Sequence, residues 1–456
     1  MPPSIRPLQK GSLQLEDTEL RIYLDSCACC AICLAGGTFH MDYILEPERR
    51  IPVVAATDVL VCGGGVAGVA AAVCAARNGA RVMLIEHYAF FGGMATAGLV
   101  ITTPPLNNGI NLEVVERLRD RNLYRKCLYP GEDPAQSSLT AFDPEILKYD
   151  LQRMLQEEHV DILLHTNATQ TLMNDTAVEG VMIENKGGRQ AIRAKVVIDA
   201  TGDGDVAWFA GAPYDIAEDP LPLTLMFNMV DVDIDRVLQH IGHWGNLRKH
   251  VKQAIDMGEL QYELSLDPSK WAPGLYGANL CYDDEINVWP GSLHGKSAVD
   301  PDDLTEAELV SRDHAIRLAQ FLRGNVRGFE RSRIEYTATQ VGIRETRRIR
   351  GGVVPSLEEA KTTEYPDTVA RPYISNSLRV PYRSLVPEGV ENLLVAGRCI
   401  SAQQDAMVQL RLIPPCFITG QAAGTAAALS VKHGKTVREL DVSELQENLR
   451  GQGMEL

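Results

Sequence analysis

Apolar runs of two different periods divide the chain. Val59 to Cys62 are four consecutive apolar residues, the signature of a strand buried on both faces. Val66 to Arg77 is rich in Ala and Val and reads as a helix, with Gly79 where a helix end favours a left-handed residue. Val82 to Ile85 read as a second buried strand. A helix follows with Leu112, Val115 and Leu118 on one face. The next opens with Asp143 as N-cap and Pro144 in the first turn, and carries a stripe of Leu147, Leu151, Met154 and Leu155. Ile162 to Leu164 read as a strand. Val178–Ile183 and Gln190–Arg193 read as a hairpin around a Lys-Gly-Gly turn, and Val196–Ile198 as a further strand.

The pattern changes from about residue 213. Three of the four tryptophans lie between there and residue 384. Thr305 and Glu308 have capping-box spacing, with Leu304 and Leu309 at the staple positions, which predicts a helix over 306–322. A buried-strand pattern resumes at Asn392 and ends at Gly397-Arg398. Gly420 to Ala428 is a helix with small residues on all sides. The expected fold is α/β: a discontinuous Rossmann-like nucleotide domain, doubly wound, over 41–212 and 385–440. An α+β substrate or cap domain is inserted over 213–384. Residues 1–40 are expected to be a disordered extension, with Met41 opening the ordered chain.

The turn after the first strand reads Gly63-Gly-Gly65-Val-Ala-Gly68. In a G-x-G-x-x-G turn the first glycine permits the tight bend. The second lets backbone approach a pyrophosphate, and the third lets the helix pack against the strand. Glu86, at the end of the next strand, is placed to accept from a ribose hydroxyl. Strand, turn, helix, strand and acid together point to a bound dinucleotide; a merely glycine-rich turn is the alternative. The fingerprint alone leaves NAD and FAD both open. A family resemblance, which takes in the Gly92-Gly93 pair and the late return to the sheet, implies FAD and argues against NAD. No second fingerprint occurs, so a separate NAD(P)H domain is not expected.

The 456 residues carry a formal net charge of −16. Such a surface repels nucleic acid and anionic membranes, leaving a small molecule as the expected partner and allowing a homo-oligomer. No run of eighteen apolar residues and no signal-peptide order is seen, so a cytoplasmic location is expected. Of ten cysteines, Cys27, Cys29, Cys30 and Cys33 crowd together. Their spacing matches no usual metal pattern, and no metal is assigned.

Five stretches, 61–68, 92–98, 198–205, 342–349 and 394–424, together resemble the FAD-dependent oxidoreductases related to fumarate reductase and succinate dehydrogenase flavoproteins. The likeness runs from about Met41 to Leu440. It implies an extended FAD, with Gly63, Gly65 and Gly68 at the pyrophosphate and Glu86 at the adenosine ribose. Gly92, Gly93 and Met94 would lie along the phosphate and ribityl chain, and Ala168 would meet the adenine through its backbone. Thr201 and Gly202 would close over the nucleotide, Gly397 and Arg398 would approach the ribityl chain, and the last helix would aim its N-terminus at the flavin ring. The chain departs from these relatives at Gln403-Gln404-Asp405 and Arg371–Ser377, where they carry histidines.

For the chemistry, the resemblance puts Arg411 beside the ring, where a guanidinium could bind a carboxylate; a structural ion pair is the alternative. Arg344, within the charged run Arg344–Arg348, is a candidate for anion binding or proton delivery, against a salt-bridge network. Gln404 completes the candidate set. Cys416, near the last helix's start, could have a lowered pKa or be a small buried residue. The expected function is hydride transfer between FAD and a small organic substrate in an interdomain cleft. The alternative is a flavin-binding redox sensor or electron-transfer subunit.

Overall fold

A computed structural model describes residues 44–127, 139–267, 275–372 and 378–456. The expected extension and its cysteine cluster lie outside the described residues. Residues 44–50 are exposed. From Ile51 to Leu456 the chain is one compact unit.

Its main sheet follows the predicted periods. Strand β1 (Val53–Cys62) leads through helix α1 (Val66–Arg77) to β2 (Val82–Ile85), which pairs with it in parallel. Gly79 has φ +88° at the end of α1, as expected. Helix α2 (Pro144–Glu157) starts where predicted: the Asp143 carboxylate accepts from the N–H groups of Glu145 and Ile146 at 2.8 and 3.0 Å. It leads to β3 (Asp161–Leu163), parallel to β2. Strands β4 (Asn167–Asn174), β5 (Ala177–Asn185) and β6 (Gly188–Asp199) form an antiparallel ribbon. The far half of β6 runs parallel beside β1, giving the order β3–β2–β1–β6–β5–β4. The two short segments expected at Gln190 and Val196 are thus one twelve-residue strand. In the preceding helix, Ile110–Arg119, Leu112 is half exposed. Ile110, Val114, Val115 and Leu118 make the buried face instead, since the stripe follows i, i+4, i+8 from Ile110.

A second sheet has the order β8 (Tyr276–Asn279), β9 (Ile286–Trp289), β7 (Phe227–Val230), β10 (Arg333–Thr337), all antiparallel. Phe227, Met229, Ile286 and Val288 face a core of their own, shared with helix α3 (Pro301–Asn325) and with Trp244 and Phe329. Helix α3 starts at Asp300-Pro301 rather than at Thr305. The Asp300 side chain accepts from Asp302 and Asp303 N–H, and Pro301 fills the first turn. The Thr305 hydroxyl only bonds back to Pro301 O, and Glu308 accepts from Val341 N–H.

The chain then returns to the first sheet. Strand β11 (Leu393–Val395) pairs in parallel with β6. Helix α4 (Ile413–His433) buries every residue from Ile413 to Ser430, which explains its lack of a polar face. It crosses α1 at backbone distance: a Cβ added at Gly420 or Gly424 would lie 2.1 Å from the carbonyl oxygen of Ala67 or Ala71 respectively.

Candidate active site

A cavity of about 480 Å³ opens where the carboxyl ends of β1 and β6 meet the second sheet. One wall is backbone. Gly63 takes φ +103° and Gly92 φ +109°, values that side chains strongly resist. The two turns bridge each other, with Gly92 N–H donating to Gly64 O at 2.9 Å. A Cβ on Gly93 would lie 2.9 Å from Gly65 Cα. The α1 N-terminus, capped by Gly65 and with no acid in its first turn, opens here. A side-chain-free cradle at a helix N-terminus suits a pyrophosphate.

Beside it stands Glu86, 4% exposed. Burial alone would raise its pKa. Ion pairing with His87 at 2.9 Å and the N–H groups of Tyr88 and Gly64 outweigh burial and hold it below the usual carboxylate value. His87 is correspondingly raised: burial opposes, but the bond to Glu86 and the charges of Asp203 and Asp205 prevail.

The turn at Thr201-Gly202 is held from below by Asp199, which accepts from Thr201 N–H, Thr201 Oγ1 and Ala207 N–H. Above it, Arg398 donates to Asp203 at 2.7 Å and to Thr346 Oγ1 at 3.0 Å. Arg347 pairs with Asp205 at 2.8 Å and lies over the Trp208 ring. Within the charged run 344–348, Thr346 and Arg347 reach Asp203 and Asp205, whereas Arg348 pairs with Glu345 inside the run.

Of the candidates from sequence, Gly63, Gly65, Glu86, Gly92, Gly93, Met94, Ala168, Thr201, Gly202, Gly397, Arg398, Arg344 and Arg411 all line this cavity. Two stand apart. Gly68 lies behind the turn, where a Cβ would sit 1.8 Å from Gly63 O. Gln404 donates to Glu345 at 2.6 Å and to Asp219 O at 3.2 Å. Arg344 is buried and donates to Pro222 O and Thr224 Oγ1. Burial pushes the Cys416 thiol up to about 12, so the plain reading of a small buried residue fits its surroundings.

Sequence reasoning missed Thr102, Leu139, Met226 and Trp289, which also line the cavity. Trp289 is fixed by a directional ladder along one face of the second sheet. Its indole N–H donates to Asn287 Oδ1 at 2.6 Å, Asn287 to Asn228 Oδ1 at 2.8 Å, and Asn228 to Glu285 Oε1 at 2.8 Å and Tyr336 OH at 3.0 Å. Period-two alternation of Glu285, Asn287 and Trp289 was the available signal. Burial pushes Glu285 up to about 7; the Asn228 amide opposes this, and the charges of Glu335, Asp143 and Asp284 add to it.

A carboxyl raised on folding contributes most below its unfolded value, near 4.5, and that contribution is lost as pH rises through about 7. Glu285→Gln should therefore match the parent's stability near pH 4.5 and exceed it at pH 8, by on the order of 2 kcal/mol. Denaturant midpoints at the two pH values test this; a pH-independent difference would refute it.

The sequence pattern of the FAD dependent oxidoreductase family matches residues 58–376 and 372–449. A digeranylgeranylglycerophospholipid reductase of Methanoculleus marisnigri is 30% identical over 186 residues, 39% of this chain and 47% of that protein. The tRNA uridine 5-carboxymethylaminomethyl modification enzyme MnmG of Streptococcus gordonii is 29% identical over 183 residues, 36% of this chain and 28% of that enzyme. The chain thus spans less than half the length of either curated relative. A geranylgeranyl bacteriochlorophyll reductase-like protein from Thermoplasma acidophilum shares the fold, with a TM-score of 0.50 at 15% identity, over 88% of this chain and 84% of that one. The matched residues take in both glycine turns, Glu86 and the α4 return that build the cavity, and on that ground the chain belongs to the FAD dependent oxidoreductase family.

Proposed function

We propose that this chain is a flavoenzyme that transfers a hydride between FAD and a small organic substrate bound between its two sheets. The observation that carries the reading is a single cavity whose wall joins the glycine cradle and Glu86 to Trp289, Arg344 and Arg411. Gly63, Gly65 and the α1 N-terminus would hold the pyrophosphate, Glu86 the adenosine ribose, and Gly92 to Met94 the linking chain. Arg411 and the α4 N-terminus would face the ring end, where FAD when bound supplies the two-electron chemistry. Residues 213–384 would act as the cap, excluding water from the reacting atoms and presenting Arg344 and Trp289 to the substrate. The likeness to fumarate reductase flavoproteins stays part of this proposal, as does a cytoplasmic location.

Heat-released cofactor should show a flavin spectrum and the mass of FAD. A panel of hydroxy acids, enoates, amines and sugars should contain a compound that bleaches or reoxidises the flavin under anaerobic conditions. Absence of flavin after reconstitution would end the proposal.

A redox-sensor reading draws on one observation. Among the described residues lining the cavity the sole histidine is His87, on the nucleotide side of the wall, so no histidine is placed for proton transfer at the ring. That reading requires bound FAD without turnover across the panel.

A further inference from the structure

Resting on the FAD reading above, we infer that the substrate compartment takes an amphipathic anion, a long apolar body ending in one carboxylate or phosphate, rather than a small dicarboxylate. Away from the cradle the wall is apolar, with Val100, Leu139, Met226, Trp289, Leu304 and Ile413 among its residues. Trp289 comes from the second sheet, Leu139 from a separate three-stranded sheet, Leu304 and Ile413 from helices α3 and α4, and Val100 and Met226 from loops, so the apolar surface surrounds the space instead of forming one stripe. The acids of the wall are engaged elsewhere: Glu86 with backbone N–H groups, Asp203 with Arg398 and Asp205 with Arg347. Besides Arg398, the arginines of the wall are Arg344, which also donates to Pro222 O and Thr224 Oγ1, and Arg411.

Thr102 adds an independent sign of a ligand. It lines the cavity, is 7% exposed, and its Oγ1 has no hydrogen-bond partner. Buried hydroxyls without a partner are uncommon. Here a ligand oxygen would supply one. A dicarboxylate would desolvate two charges against largely apolar walls, whereas an apolar body gains from the same burial and leaves one charge for the guanidinium groups.

The test uses FAD-reconstituted protein and follows the flavin absorption spectrum. Dodecanoate, dodecyl phosphate, butyrate, succinate and dodecylamine are titrated below micelle-forming concentrations. A saturable shift is expected with dodecanoate or dodecyl phosphate, and which binds tighter separates an acid from a lipid-like phosphate head. Binding should be at least about 100-fold tighter than for butyrate, from the added methylenes. Arg411→Met should weaken it by roughly 10- to 100-fold with FAD retained, and Thr102→Val by a few-fold. Arg344→Met is the second charge variant, with flavin content as its folding control.

The inference is overturned if succinate binds more tightly than dodecanoate, if dodecylamine matches it, if neither arginine variant weakens binding, or if no anion shifts the spectrum of yellow protein. A colourless protein after reconstitution would instead sink the FAD reading, and is seen before any titration.

Discussion

Gly424→Val should cost the protein both its stability and its flavin. A Cβ at this position would sit 2.1 Å from the Ala71 carbonyl oxygen and 2.7 Å from its carbon, both backbone atoms of a helix that is buried from Val66 to Ala75. Side-chain rotation cannot relieve a clash with backbone, so α4 and α1 must separate. That opens the core between two helices that cross the same sheet, and overpacking of this kind costs on the order of 3 kcal/mol or more. It also displaces the start of α1, where Gly65 and Val66 line the cavity, and the start of α4, where Leu412 and Ile413 line it. Flavin content should fall below about a tenth of the parent's, as a loss of 1.4 kcal/mol per tenfold implies. Gly451→Ala is the control. It ends the helix Val442–Gly451 with nothing within 4 Å of its Cβ and should be neutral or stabilise by up to about 1 kcal/mol. A Gly424→Val protein that keeps the parent's thermal midpoint and yellow colour would show that the helices are not in backbone contact.

The same pair of helices marks how far the sequence could be read. The small residues of 420–428 announced close packing, but not its partner; Ala67 and Ala71 lie some 350 positions earlier. Several signals held where the physics is local. The glycine turn, the Asp143 cap and the hairpin each depend on residues within a few positions of one another. Even local patterns failed when two starts competed. Thr305 and Glu308 have the right spacing for a cap, yet Asp300-Pro301 five residues earlier satisfies the free N–H groups first. A true capping box occurs at Ser356 and Glu359, a site the hydrophobic pattern did not mark.

The site divides in the same way. Its cradle comes from short motifs and was legible. The arginine partners were not, because Arg398 meets Asp203 across 195 positions and Arg347 meets Asp205 across 142. Thr102 and Trp289 enter the wall from separate strands whose neighbours are set only by the tertiary fold. Spacing cannot reveal such residues, whereas a buried, unpartnered hydroxyl or a ladder of amides can be recognised once the strands are paired.

Glu86→Ala should weaken FAD binding by about 100-fold, near 3 kcal/mol. The carboxylate has two tasks. It accepts from the backbone N–H groups of Gly64 and Tyr88, which hold the first turn against the end of β2. It would also accept from the adenosine ribose under the proposed binding mode. Alanine removes the ribose acceptor and leaves two amide donors in a nearly dry wall, each costing about 1–3 kcal/mol when unsatisfied. Glutamine fills the space but turns an N–H₂ toward one of those donors, so it should recover only part of the loss. The pH dependence follows from the sign of the shift. Glu86 is depressed below its ordinary value of 4.5, so its contribution is complete above that pH and is lost as pH falls through the lower folded value. The Glu86 contribution should be complete above about pH 5 and lost only in stronger acid, with the charge changes of neighbouring His87 and Asp205 superimposed at higher pH, whereas Glu86→Gln should lack this acid-release step. Titration of apoprotein with FAD, followed by flavin fluorescence at each pH, measures both effects. An unchanged dissociation constant in Glu86→Ala would detach this residue from the nucleotide and move the ribose elsewhere along the wall.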